Sequence, residues 1–120
     1  VEGPNFPEYH KLLGDIYEDV FDTIDIIAEY IRSLDSYAPG SLSRYAELTQ
    51  IKDQLKIPRA ELMIAELLED NGTLINLWKE AFAIAESENE QGIANFIAER
   101  IDAQQKHGWM LRSFLKDERA

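Results

Sequence analysis

The 120-residue chain contains no cysteine, which excludes thiolate metal centres, disulfides and thiol catalysis and fits a reducing compartment. It has no apolar run approaching the roughly 20 residues that a membrane-spanning helix needs, so no membrane partner is expected. It shows no secretory signal pattern. It lacks any run of lysine and arginine: 12 basic residues face 23 acidic ones, for a net charge of −11. Such a chain repels phosphate backbones, and generic nucleic-acid binding is disfavoured. Strand-like alternation, internal repeats and low-complexity tracts are also missing. The first residue is Val1 rather than Met, and the chain is read as beginning inside a longer protein.

What the chain does have is helical periodicity. Phe6, Tyr9, Leu13, Ile16, Val20, Thr23, Ile27, Tyr30 and Leu34 recur at spacings of three and four, which predicts one long helix. Tyr17, Phe21, Ile24, Ala28 and Ile31 widen its apolar face, so this helix is expected to pack on two sides. Asp35-Ser36-Tyr37-Ala38-Pro39-Gly40 breaks it. Ser41 can cap a short helix over 42–48. Pro58 suits the first position of a second long helix, whose seam is Ala60, Ile64, Leu67, Asn71, Leu74, Trp78, Ala81 and Ala85. Asn71-Gly72 is a soft point costing about 1 kcal/mol, but the seam crosses it in phase. After the turn at 87–92, Ile93, Ile97, Ile101, Gln104, Gly108, Leu111 and Leu115 mark the last helix, followed by a polar tail expected to fray over 116–120. Trp78 and Trp109 lie on or beside these seams and read as core. The class is all-α: three long helices and one short helix in the connection after the first, packed as an antiparallel bundle.

Asp25 and Glu29 stand one above the other on the first helix, and Ile24, Ile26 and Ile27 surround Asp25. Burying such a carboxylate alone would cost several kcal/mol, so a partner is expected. A metal ion with His10 as third ligand is one candidate, and Arg32 is the rival. A solvated acidic stripe through Glu18, Asp22, Asp25 and Glu29 fits the same spacing, so the residues alone leave both readings open. His10 by itself reads more readily as an ordinary surface or interface histidine than as a ligand, and His107 carries no partner pattern.

Glu2-Gly3-Pro4-Asn5-Phe6 followed by His10, Asp25-Ile26-Ile27-Ala28-Glu29-Tyr30-Ile31, Pro39-Gly40-Ser41-Leu42 with the short helix after it, and Ile97-Ala98-Glu99-Arg100-Ile101 with Trp109-Met110-Leu111 resemble, in order, the Dps family. These are the ferritin-like DNA-binding proteins from starved cells. The resemblance spans essentially the whole chain, residues 1–120, as a single ferritin-like domain that lacks the family's first helix. It implies a cytoplasmic, hollow dodecamer of stress response that oxidises ferrous iron with peroxide or oxygen and stores the ferric product.

By the same resemblance, His10 matches one iron ligand. Asp25 and Glu29 match the two carboxylate ligands contributed by the facing subunit. Glu88, Glu90 and Glu99 correspond to acidic residues lining an entry pore, although carboxylates complementing a helix dipole explain them equally well. Imidazole and carboxylate suit iron(II), and carboxylates favour the ferric product. Three departures stand out. Gly14 replaces the family's aspartate four residues after the histidine, and Asp15 points about 100° away around the helix. The family's upstream histidine-tryptophan pair has no counterpart here. No lysine-rich tail is present, so DNA binding is not expected. An oligomeric helical scaffold of the same fold, impaired in metal chemistry, therefore stands as the alternative.

Overall fold

The computed structural model describes residues 1–117, and the last part of the expected frayed tail, 118–120, lies outside them. The described residues form five helices: α1 (Phe6–Phe21), α2 (Thr23–Ser33), α3 (Leu42–Leu48), α4 (Ala60–Ser87) and α5 (Gln91–Phe114). They contain no strand. The chain divides into two units, Val1–Gln54 and the remainder from Leu55.

In the first unit, the single helix expected from the seam is interrupted at Asp22. Asp22 keeps right-handed angles (φ −65°, ψ −14°), and its N–H still reaches the Glu18 carbonyl at 3.1 Å, so the chain does not reverse there. Thr23 Oγ1 donates to the Val20 carbonyl at 2.7 Å, a back-bond that competes with the helical ladder and bends helices. Tyr9, Leu12 and Ile16 are buried on α1, at spacings of three and four. The second apolar side expected for this segment is exposed within one chain: Tyr17 is 66% and Ile24 51% accessible.

α2 stops through a Schellman turn. Asp35 takes the left-handed conformation (φ 64°), its N–H reaches the Arg32 carbonyl at 3.0 Å, and the Ser36 N–H reaches Ile31 at 3.2 Å. Ser41 caps α3 as its sequence position suggests, its Oγ accepting from the Arg44 N–H at 3.2 Å.

In the second unit, α4 begins at Ala60 rather than at Pro58, because Arg59 is extended (ψ 157°) and serves as the N-cap. It runs unbroken through Asn71-Gly72. Its end repeats the Schellman device, with Asn89 left-handed (φ 58°) and the Glu90 N–H on the Ala85 carbonyl at 2.9 Å. This tight connection makes α4 and α5 an antiparallel hairpin. Near the turn, Ala85, Ala94 and Ile97 form a core flanked by Trp78, Phe82, Ile93, Phe96 and Ile101. Trp78 meets Phe96 edge-on at 5.9 Å. Further along, Asn71 and Gln104 cross-link the helices, and Ile64 and Leu111 are fully buried. Trp109 departs from its expected core role. It is 57% exposed, because the seam of α5 runs through Gly108 and Leu111 and leaves the indole on another face.

Candidate metal centre

Gly3 takes a positive φ of 115°, and the turn it opens closes with the Phe6 N–H on the Gly3 carbonyl at 3.1 Å. Phe6 is thereby placed as the first residue of α1, with Pro7 fixing the first turn. One turn later, the exposed His10 ring stacks on Phe6, with centroids 5.0 Å apart and planes at 20°. One turn beyond that is Gly14, where an added Cβ would meet nothing within 4 Å. Neighbouring Asp15 is engaged by Lys11 at 3.1 Å. The α1 face thus offers one imidazole and no carboxylate a turn later.

On α2, Asp25 and Glu29 are both exposed. Among the described residues neither makes an ion pair or a hydrogen bond. The expectation that isoleucines bury Asp25 is corrected: Ile24 and Ile26 are themselves exposed, so water solvates the carboxylate within a single chain. The desolvation argument applies only when this face is covered. The rival partner is occupied elsewhere, since Arg32 donates to the Ser36 carbonyl at 2.8 Å and lies 4.7 Å over the Tyr37 ring. Beside the carboxylates, Ile24, Ile27, Ala28, Ile31, Pro39 and Tyr45 line an apolar recess of about 350 Å³.

Among the described residues, no three His, Asp or Glu side chains converge within one chain to hold a metal ion. His10, Asp25 and Glu29 are therefore not brought together by one copy. Glu88, Glu90 and Glu99 are exposed. Glu90 stands at the N-cap of α5, where the helix dipole favours a carboxylate, while Glu88 stands at the C-cap of α4, where it does not. Glu99 lies two turns into α5, so dipole complementarity accounts for only one of the three.

Sequence reasoning missed two features of α4 and α5. Arg100 is buried and donates through Nη2 to Gln104 Oε1, extending the Asn71–Gln104 pair into a polar layer. Asn71 and Gln104 sitting on apolar seams was the available signal. The second is Asp70, whose carboxyl is held above the usual carboxylate range, first by burial and then by the charges of Glu69 and Glu66.

The family model for the ferritin-like domain matches residues 1–120. An uncharacterized low temperature-induced protein of Nostoc is 34% identical over 118 residues, covering 97% of this chain and 66% of the relative. The DNA protection during starvation protein of Helicobacter pylori is 31% identical over 116 residues, covering 96% of this chain and 81% of its own. Among solved structures, Dps from Staphylococcus aureus superposes with a TM-score of 0.92 at 26% identity, covering 98% of this chain and 78% of that one. A Dps protein from Vibrio cholerae, described as a member of a broad superfamily of ferritin-like diiron-carboxylate proteins, gives 0.91 at 27% identity over 97% and 73%. The chain is a ferritin-like protein of the Dps family, and its all-helical architecture matches theirs. It spans about two-thirds of the length of the Nostoc relative, 66%. Among the described residues, no helix is long and apolar enough to cross a membrane.

Proposed function

We propose that this chain works as a subunit of an oligomeric iron-oxidising and iron-storing protein in the cytoplasm. In this reading Asp25 and Glu29 of one copy and His10 of another bind ferrous iron across a two-fold interface, within a Dps-type dodecamer. The observation that carries it is the pair of exposed, ion-pair-free carboxylates on α2, set in apolar surface and left unneutralised by Arg32. The imidazole and the two carboxylates supply a mixed nitrogen and oxygen donor set suited to iron(II). Negative charge gathered at one point stabilises the ferric product relative to the ferrous substrate. Each ferrous ion gives up one electron, and the acceptor is hydrogen peroxide or oxygen. Glu88, Glu90 and Glu99 serve as an acidic entry path in this reading. DNA is not among the proposed partners, because the net charge of −11 gives no attraction to phosphate.

The test is anaerobic loading with ferrous iron followed by peroxide, with ferric absorbance recorded over time. Asp25→Ala combined with Glu29→Ala should slow oxidation markedly. Oxidation as fast as the parent's would refute the assignment. Mass by light scattering checks the assembly, and a monodisperse monomer that unfolds cooperatively would contradict the inter-subunit site.

A second reading, a scaffold of the same fold without metal chemistry, draws on Gly14, which leaves the His10 imidazole with no carboxylate one turn later on its face of α1. It predicts full assembly with no ferric absorbance above the protein-free control.

A further inference from the structure

Phe6 does more at the α1 face than fill space. We propose that it is a positioning residue, holding the His10 imidazole in the orientation that captures a divalent metal ion; this rests on the reading of His10 as a ligand.

The lone pair with which an imidazole nitrogen binds a metal lies in the plane of the ring. A partner on the ring face therefore restrains the imidazole without obstructing that lone pair. Phe6 is such a partner, nearly parallel to His10 at 20° with centroids 5.0 Å apart. Among the described residues, His10 makes no hydrogen bond or ion pair, so the stack is its restraint. An exposed histidine on a helix otherwise samples several rotamers. Ligation would have to select one of them, and a ring already held loses less freedom on binding.

Phe6 is 41% exposed, but the backbone that carries its ring is fixed. The left-handed Gly3 (φ 115°) and the 3.1 Å bond from the Phe6 N–H to the Gly3 carbonyl fix where α1 begins. Pro7 stiffens the same turn. The Gly3-Pro4-Asn5 turn thus acts on the metal face through Phe6, although none of its own side chains need touch the ion.

The experiment uses the full chain with cobalt(II) as probe, comparing Phe6→Leu, Phe6→Tyr and His10→Ala by calorimetry. The His10 ring signals are followed by NMR in metal-free protein. Phe6→Leu should weaken cobalt binding by about 2- to 10-fold and average the His10 ring signals, with helical circular dichroism unchanged. Phe6→Tyr, which keeps the stacking face, should restore both. If His10→Ala weakens binding while Phe6→Leu does not, the positioning role falls and the metal site stands. If His10→Ala binds cobalt as tightly as the parent, the metal reading falls and this proposal falls with it.

Discussion

Asn71 and Gln104 clasp each other across the α4–α5 hairpin: Gln104 Nε2 donates to Asn71 Oδ1 at 2.7 Å, and Asn71 Nδ2 donates to the Gln104 carbonyl at 2.8 Å. Both residues are buried, at 6% and 2% exposure, so neither can exchange its partner for water. Asn71→Ala strands the Gln104 amide in the core. An unsatisfied buried group costs about 1–3 kcal/mol, and equilibrium urea unfolding should show a loss of that size. Asn71→Asp should be worse at neutral pH, because Gln104 Nε2 can still donate to the aspartate but the backbone carbonyl then faces a second acceptor.

Gly108 and Gly72 should respond in opposite ways to alanine. Both lie inside helices, where alanine is favoured by about 1 kcal/mol. At Gly72 an added Cβ meets nothing within 4 Å, and Gly72→Ala should raise stability by up to that amount. At Gly108 the Cβ would stand 3.1 Å from Asn71 Nδ2, an atom tied to Gln104 and unable to yield freely. Gly108→Ala should therefore lie at least about 1 kcal/mol below Gly72→Ala, as overpacking cancels the propensity gain. Thermal unfolding of the two variants side by side gives the difference directly.

Asp70 gives the stability a pH dependence of known sign. Burial, then Glu69 and Glu66, raise its folded-state pKa above the ordinary value. The folded chain then holds this proton more tightly than the unfolded chain does. The resulting stabilisation is complete at acid pH and is lost as pH climbs through the raised value. Asp70→Asn removes the ionisable group. Its stability relative to the parent should rise as pH increases across and above the carboxylate range, and then level off. A parent-minus-variant difference that stays flat with pH would contradict the cause assigned to the shift.

Gly14→Asp should strengthen metal capture. It places a carboxylate one helical turn after His10 on the same face, and the structure offers open space for it. Asp15 cannot supply this group because it lies about 100° around the helix from that face, whether or not it pairs with Lys11. Cobalt affinity should increase by roughly tenfold, about 1.4 kcal/mol. Lys11→Ala, which only frees Asp15, should leave the affinity within about twofold of the parent.

Much of the helical framework was legible in the residues themselves. The Ser41 cap, the passage of α4 through Asn71-Gly72 and the seam from Ile97 to Leu111 all follow from side-chain type and spacing. The interruption at Asp22 was not, because the apolar rhythm keeps its phase from Val20 to Ile27, and the Thr23 hydroxyl bond to the Val20 carbonyl at that junction leaves no trace in the spacing. Trp109 misled for a different reason: α5 carries apolar residues on more than one face, and periodicity does not say which of them a single copy covers. His10, Asp25 and Glu29 were raised as candidate ligands by helical spacing and favoured by motif resemblance, whereas their exposure and the diversion of Arg32 to Ser36 and Tyr37 required coordinates.

The Asn71-Gly72 dipeptide also bears on how the molecule ages. In a mobile chain, an asparagine followed by glycine is the pair most prone to cyclise to a succinimide, because the glycine amide nitrogen can swing onto the side-chain carbonyl. Here the backbone is helical and the Asn71 amide is tied at both ends to Gln104. Neither group can reach the geometry for attack until α4 opens locally. Chemical change at Asn71 therefore acts as a slow recorder of how often that helix comes apart, and it links the lifetime of the intact molecule to the same pair of hydrogen bonds that joins its two longest helices.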